Sequence, residues 1–230
     1  MNIGELSPST QDYLKAMWNI SEWSERGVQT VDLATTLQVS MPAISAQVKK
    51  LAAQGLLTHA RYGAITLTAT GQRLALEMVR RHRLIETFLV NVVGCSWDEV
   101  HDDAELLEHA ISDTLLARID ALLDHPTHDP HGDPIPRLDG TLPGRVDLRL
   151  HEAPQQVPLT IVRVHDADAT ALRALAAAHL TVGSTVTVLD CDPVSGAVQL
   201  QVKCTTQQLE AEEAGRIRVI PQGPATPAPR

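Results

Sequence analysis

The sequence predicts an α+β protein that is mainly α, built as an amino-terminal winged helix-turn-helix, a helical middle part and a small carboxy-terminal β-barrel. Three observations predict it. Between residues 32 and 67 a short helix, a tight turn, a second helix and a glycine-tipped hairpin follow one another. Residues 71–94 and 98–124 carry two long amphipathic helical patterns. Beyond a proline-dense stretch that begins at Pro126, short alternating apolar runs replace the helical period.

Taken in order, Gln11–Ile20 places Leu14, Met17 and Trp18 on one helical face, with Ile20 and Trp23 extending it. Gly27 stops that helix, and 28–30 is a short extended link. Asp32 is placed to cap a helix of under two turns, Leu33–Leu37. After the tight connection 38–40, Ser40 is a good N-cap and Pro42 suits the first turn of a helix running to Leu51 and ended by Gly55. Leu56–His59 and Ala64–Leu67 read as strands around Arg61-Tyr62-Gly63. Ala34 lets the two short helices approach closely, and Val39, Ile44, Val48 and Leu51 hold the second on the core. Its outward stripe, Ser45, Gln47, Lys49 and Lys50, is small or basic and suits a major groove about 12 Å wide.

The helix over 71–94 is expected to bend near Arg81–Arg83. That over 98–124, with Asp98 as its N-cap, carries an apolar stripe of Leu106, Leu107, Ile111, Leu115 and Ile119. Two such helices exceed what the small winged module can cover, so self-association is expected to bury them. Pro126, Pro130, Pro134, Pro136 and Pro143 then interrupt helix and sheet alike. Strands follow at 159–164, 185–189, 198–202 and 216–220, with one helix at 169–179. The expected division is 1–74 winged module, 75–140 helical module, 141–157 proline-rich linker, 158–221 β-domain and 222–230 disordered tail.

Composition supports a protein without membrane spans. Hydrophobic residues make up 43% and charged residues 20%, ordinary for a globular chain, and no apolar run approaches the roughly 18–20 residues needed to cross a bilayer. Cys95, Cys191 and Cys204 have no disulfide or zinc-ribbon spacing, and no basic-then-apolar leader opens the chain, so a cytoplasmic location is expected. The net charge of −9 hides an asymmetry: residues 1–83 carry 9 Lys+Arg against 6 Asp+Glu, whereas 84–230 carry 10 against 22. One part tolerates phosphate and the other attracts cations. Aromatic residues are 3%, too few for stacking platforms that bind single strands.

Two groups of ligand-type side chains lie on the long helices. His82 and Glu86 are four apart and share a face. His101, Glu105, Glu108 and His109 fall within two turns, and the i, i+3, i+4 spacing of the last three converges two carboxylates and an imidazole. A row of carboxylates is ordinarily a solvated face. Here it flanks the apolar stripe, where unpaired charges cost about several kcal/mol each to desolvate, and a divalent cation removes that cost. The chain has no nucleophile elbow, Gly-rich phosphate loop or His-Glu-x-x-His motif, so an enzyme, a metallohydrolase included, is not expected.

Residues 7–140 resemble the diphtheria-toxin-repressor family of metal-dependent transcriptional regulators, and 158–220 resembles its SH3-like (FeoA-like) domain. The match is carried by Asp12-Tyr13-Leu14, Ser40–Ser45, Leu67–Gly71, Arg81–Glu86, Val100–His109 and Pro130–Pro136. The resemblance implies a homodimer that represses palindromic double-stranded DNA operators when loaded with Mn²⁺ or Fe²⁺, with no organic cofactor. It implies a primary metal site of Asp12, Glu105, Glu108 and His109. A second would use His82, Glu86 and His101, or else Glu86 with His131 and either Asp166 or Asp168. The iron-responsive branch has methionine where Asp12 stands and cysteine where Glu105 stands; hard oxygen at both favours Mn²⁺ in relative terms. Asp129, at a position that is cysteine in some members, is likewise hard. Lys15 stands where some manganese sensors have glutamate, which argues against a closely bridged pair of ions. The expected DNA contacts are Ser40, Pro42, Ala43, Ser45, Ala46, Gln47, Lys49, Lys50, Arg61 and Tyr62, with Arg73 a further phosphate contact. Ala46 replaces a base-reading glutamine, and Gln47 is the candidate substitute. The reading is a Mn²⁺-activated repressor of metal-transport genes. The alternatives are an Fe²⁺-responsive member, or a metal-independent winged-helix regulator with an organic effector.

Overall fold

The computed structural model describes residues 1–24, 26–59, 63–144, 147–166 and 168–222. The expected wing contacts Arg61 and Tyr62, and the tail from 223, lie outside the described residues. The chain divides into two compact units: 1–85 with 105–122 and 135–142, and 86–104 with 123–134 and 143–230. No helix among the described residues is long and apolar enough to cross a membrane.

The first unit opens with α1 (Pro8–Trp23), started by Ser7, whose hydroxyl accepts from Thr10 N, and by Pro8 in the first turn. Gly27 takes φ +74°, and a Cβ there would meet Ala64 Cβ at 2.8 Å, so glycine lets the link pass beneath the wing. Next come α2 (Thr30–Thr36), α3 (Met41–Ala53), β1 (Leu57–His59) and β2 (Ile65–Leu67), the last two antiparallel. Asp32 does not cap α2. It sits at the third helical position and accepts from Gln29 N at 3.0 Å, so the N-cap is Gln29 and the helix starts earlier than expected. Ser40 does occupy the N-cap of α3, with Pro42 in the first turn.

Helix α4 (Ala69–Phe88) is continuous through Arg81–Arg83, where a bend was expected, and runs on as a π-helical turn, Leu89–Val93. Its start packs tightly on the wing: a Cβ at Gly71 would lie 1.8 Å from Leu56 O, a contact only glycine permits. The helix expected over 98–124 is two helices, α5 (Val100–Glu108) and α6 (Asp113–Leu122). Ser112 causes the break, because its hydroxyl accepts from Leu115 N and its carbonyl from Leu116 N, restarting the chain as an N-cap. Nor does Asp98 cap α5; it pairs with Arg173 at 2.7 Å. The core of this unit joins Tyr13, Leu14, Met17, Leu33, Ile44, Val48, Leu51, Ile65, Leu74 and Met78.

The second unit holds a six-stranded antiparallel sheet: β3 (Leu148–Arg149), β4 (Pro158–Val164), β5 (Thr185–Cys191), β6 (Val198–Val202), β7 (Thr205–Leu209) and β8 (Ile217–Pro221). The strand order is β3-β8-β4-β5-β6-β7. Alternation buries Leu159 and Ile161, Val186 and Val188, and Val198, Leu200 and Val202, with register shifts at 161/163 and 188/190. Helix α7 (Ala169–Ala177) and α8 (Ala211–Gly215) complete it. The stretch read as linker therefore contributes β3 and the buried Leu150 to the sheet domain. The proline-dense loop is also more ordered than a linker. Asp129 Oδ1 accepts from His131 N and Asp133 N, both at 2.9 Å, and Gly132 at φ +84° brings its Cα against Val162 O.

Candidate metal centres and nucleic-acid interface

The first cluster is assembled within the first unit by α1 and the segment 105–109. Asp12 leaves α1 one residue after Gln11 and three before Lys15. Its Oδ1 lies 2.9 Å from His109 Nε2, and His109 Nε2 lies 3.6 Å from Glu108 Oε1. Ligand atoms of Asp12, Glu108 and His109 fall within 4.8 Å of one another. Glu108 is 1% exposed. Burial works to raise its carboxyl, but His82 and Lys15 outweigh burial and hold it below the ordinary carboxylate range. Asp12 is shifted the other way. Burial raises its carboxyl, His109 and Lys15 oppose this, and the neighbouring Glu105 and Glu108 add to the rise.

Gln11, which the sequence reading missed, decides which nitrogen of His109 is free. Its amide Nε2 donates to Ile3 O at 2.8 Å and to Leu6 O at 3.2 Å, which fixes the amide orientation. Its Oε1 therefore faces His109 Nδ1, at 2.6 Å, and only a protonated Nδ1 can satisfy it. In the neutral ring Nε2 then carries a lone pair toward Asp12 Oδ1, a buried oxygen that accepts no hydrogen bond. Two facing lone pairs at that distance repel unless a proton or a metal cation is shared between them. The residues fit a divalent ion with oxygen and imidazole donors, and Gln11 would then supply the outer hydrogen bond that orients His109 as a ligand. A buried polar side chain next to Asp12 on a helix was the only signal for it.

Glu105 and His82 are drawn to the other side of Glu108. His82 Nδ1 is 2.6 Å from Glu108 Oε2. Lys15 Nζ, on a residue 4% exposed, donates to Glu105 Oε1 at 2.5 Å and to Glu108 Oε1 at 2.6 Å, and lies 3.4 Å from His82 Nδ1. Burial opposes its charge, but Glu108 and Glu105 outweigh burial and keep the ammonium more firmly protonated than usual.

The second cluster lies in the second unit. Glu86 Oε1 is 3.4 Å from His101 Nδ1, which is 4.0 Å from Asp166 Oδ2, and Glu86 Oε2 is 3.9 Å from His131 Nδ1. His131 Nε2 donates to Trp97 O at 2.7 Å, so Nδ1 is the nitrogen that faces the carboxylates. Burial disfavours a charged ring, but Glu86, Asp166 and Asp129 outweigh it and raise its affinity for a proton, the mark of a position that seeks positive charge. Asp168, the alternative to Asp166, instead caps α7 through Thr170 N and Ala171 N.

On α3, Ser40, Pro42, Ala43, Ser45, Ala46, Lys49 and Lys50 are exposed along one side. Gln47 is half-buried, with its amide 3.4 Å from Thr10 Oγ1, a poor position for a base reader. Arg73 donates to Met1 O at 2.7 Å and lies near Glu77.

A winged helix-turn-helix whose first helix shares a cluster of carboxylates and imidazoles with a helical module points to the class of metal-dependent DNA-binding regulators. Comparison with known proteins agrees. Residues 5–65 match the iron dependent repressor N-terminal DNA binding domain, 68–137 its metal binding and dimerisation domain, and 148–221 the FeoA domain. The iron-dependent repressor IdeR of Mycobacterium tuberculosis H37Rv is 36% identical over 169 residues, 70% of this chain and 72% of that protein. The diphtheria toxin repressor of Corynebacterium diphtheriae is 30% identical over 200 residues, 82% of this chain and 87% of that one. A solved manganese-dependent transcriptional repressor in complex with manganese superposes with TM-score 0.86 at 45% identity, covering 93% of this chain and all of that chain. The chain belongs to the iron-dependent, or diphtheria toxin, repressor family. It is a metal-dependent transcriptional repressor that binds DNA as a homodimer, and it is not an enzyme.

Proposed function

We propose that the chain is a Mn²⁺-activated repressor of palindromic operators at metal-homeostasis genes in the cytoplasm. The carrying observation is the convergence of Asp12 Oδ1 and His109 Nε2, 2.9 Å apart, beside the buried Glu108. These three would hold the primary ion, and Glu86, His101 and Asp166, with His131 beside them, a second. Neither donor set contains sulfur, which favours Mn²⁺ relative to Fe²⁺. The manganese complex at 45% identity supports the same choice. The relatedness to IdeR at 36% identity keeps Fe²⁺ as the second reading.

When bound, the ion supplies a positive charge shared between α1 and the end of α5. Asp12 contributes from the DNA-binding side, and Glu108 and His109 from the dimerisation side. Gln11 holds the imidazole so that its free nitrogen stays aimed at Asp12. Joined in this way, α1 sets the orientation of α3 relative to the pairing helices. Two recognition helices enter successive major grooves only about 34 Å apart, so fixing that separation is activation.

Fluorescence anisotropy of labelled operator DNA tests this. Affinity is expected to rise at least tenfold with Mn²⁺ over excess chelator; equal affinity in both removes the metal switch. A larger gain with Fe²⁺ under anaerobic conditions would assign the protein to the iron reading.

A further inference from the structure

We propose that Arg163 is a positioning residue for the second ion: its buried pair with Asp133 pins the 129–133 turn to β4 in the register that brings His131 to Glu86. The inference rests on the second site proposed above. Arg163 and Asp133 are 1% and 2% exposed, with guanidinium and carboxylate in direct contact. Val164 N, on the next residue of the strand, donates to His131 O at 2.9 Å. On the residue before, Val162 O lies where a Cβ on Gly132 would meet it at 1.9 Å. Three consecutive residues of β4 therefore hold three consecutive residues of the turn.

This docking supplies donors from both sides. From the turn, His131 Nδ1 comes to 3.9 Å from Glu86 Oε2, and Asp129 falls in the same group of ligand atoms. From the strand, Asp166, two residues beyond the end of β4, comes to 4.0 Å from His101 Nδ1. A buried ion pair is a poor source of stability, because apolar side chains of similar volume often serve as well or better. What it adds is register. A slip of one residue would put Pro130 or Gly132, neither of them a ligand, where His131 stands. The Trp97 carbonyl, 2.7 Å from His131 Nε2, then turns the ring so that Nδ1 faces the carboxylates.

The test uses the whole chain carrying Trp18→Phe and Trp23→Phe, so that Trp97 is its one indole, with its ring centroid 5.5 Å from that of His131. Paramagnetic Mn²⁺ quenches a neighbouring indole, so Trp97 fluorescence titrates the second site, while equilibrium dialysis with elemental analysis counts ions per chain. Arg163→Met combined with Asp133→Leu makes the pair apolar. It is expected to keep the melting temperature and to weaken the quenching affinity at least tenfold, the scale of a lost outer-shell partner. Asp133→Glu keeps both charges but lengthens the tether by one methylene; it is expected to weaken the same affinity and decides the matter if the apolar pair does not fold. Wild-type affinity in the folded apolar pair, or in Asp133→Glu where that pair fails to fold, overturns the proposal. A loss of affinity that only follows a fall in melting temperature marks the pair as structural and overturns it too. His101→Ala separates the two levels: quenching that it leaves unchanged removes the second site itself, whatever Arg163 does.

Discussion

The residues that matter most here are those that set the protonation of others. Gln11 holds its amide by two hydrogen bonds and through its Oε1 accepts the hydrogen bond of His109 Nδ1, leaving Nε2 to face Asp12. Replacing it by methionine keeps the length and helix propensity but removes the acceptor for Nδ1–H. Gln11→Met is expected to weaken Mn²⁺ binding by about 10–100-fold, read by calorimetry, while the circular dichroism of the apo form stays native. An unchanged affinity would remove Gln11 from the site. Asp12 adds a pH dependence with a definite sign. Its carboxyl is raised, by burial first and by Glu105 and Glu108 besides, so it keeps its proton to a higher pH than an ordinary aspartate. Metal must expel that proton. Below the folded-state pKa the Mn²⁺ affinity therefore falls by about tenfold per pH unit, beginning at a higher pH than an exposed carboxylate would give. Titrations from neutral pH downward check this; affinity flat to below the ordinary aspartate range would contradict it.

At the scale of elements, α3 presents Lys49 and Lys50 outward while Ile44, Val48 and Leu51 anchor it. Lys49→Ala and Lys50→Ala are each expected to lower the magnitude of the slope of log affinity against log salt by about one, with little change in sequence preference. A loss confined to one operator sequence would mean that they read bases instead. These elements were legible because cap, proline and apolar period agreed at Ser40, Pro42 and Ile44. What was not legible has a physical reason in each case. Ser112 looked like one more polar residue in a helical run, yet its hydroxyl and carbonyl restart the chain and divide α5 from α6. Strand β7, Thr205–Leu209, is polar on both faces until Leu209, so no alternation announced it. In the site, the i, i+3, i+4 spacing of Glu105, Glu108 and His109 was visible. That Glu105 would turn to Lys15 and His109 to Gln11 was not, because both partners come from another helix.

For the whole molecule, the apolar side chains that α5 and α6 leave uncovered in the single chain are the expected pairing face. Leu106, Leu107, Leu115 and Leu122 are 76%, 45%, 51% and 64% exposed on α5 and α6. Leu106→Asp with Leu115→Asp is expected to shift sedimentation from dimer to monomer and to abolish tight operator binding, because two half-sites can no longer be engaged together. A dimer of undiminished stability would place the interface elsewhere. The central claim is the cation held between α1 and the end of α5, and anomalous diffraction from Mn²⁺-grown crystals tests it most directly. The account predicts an anomalous peak within bonding distance of Asp12, Glu108 and His109. A fully loaded crystal with no peak there, its manganese held only around Glu86, would contradict it.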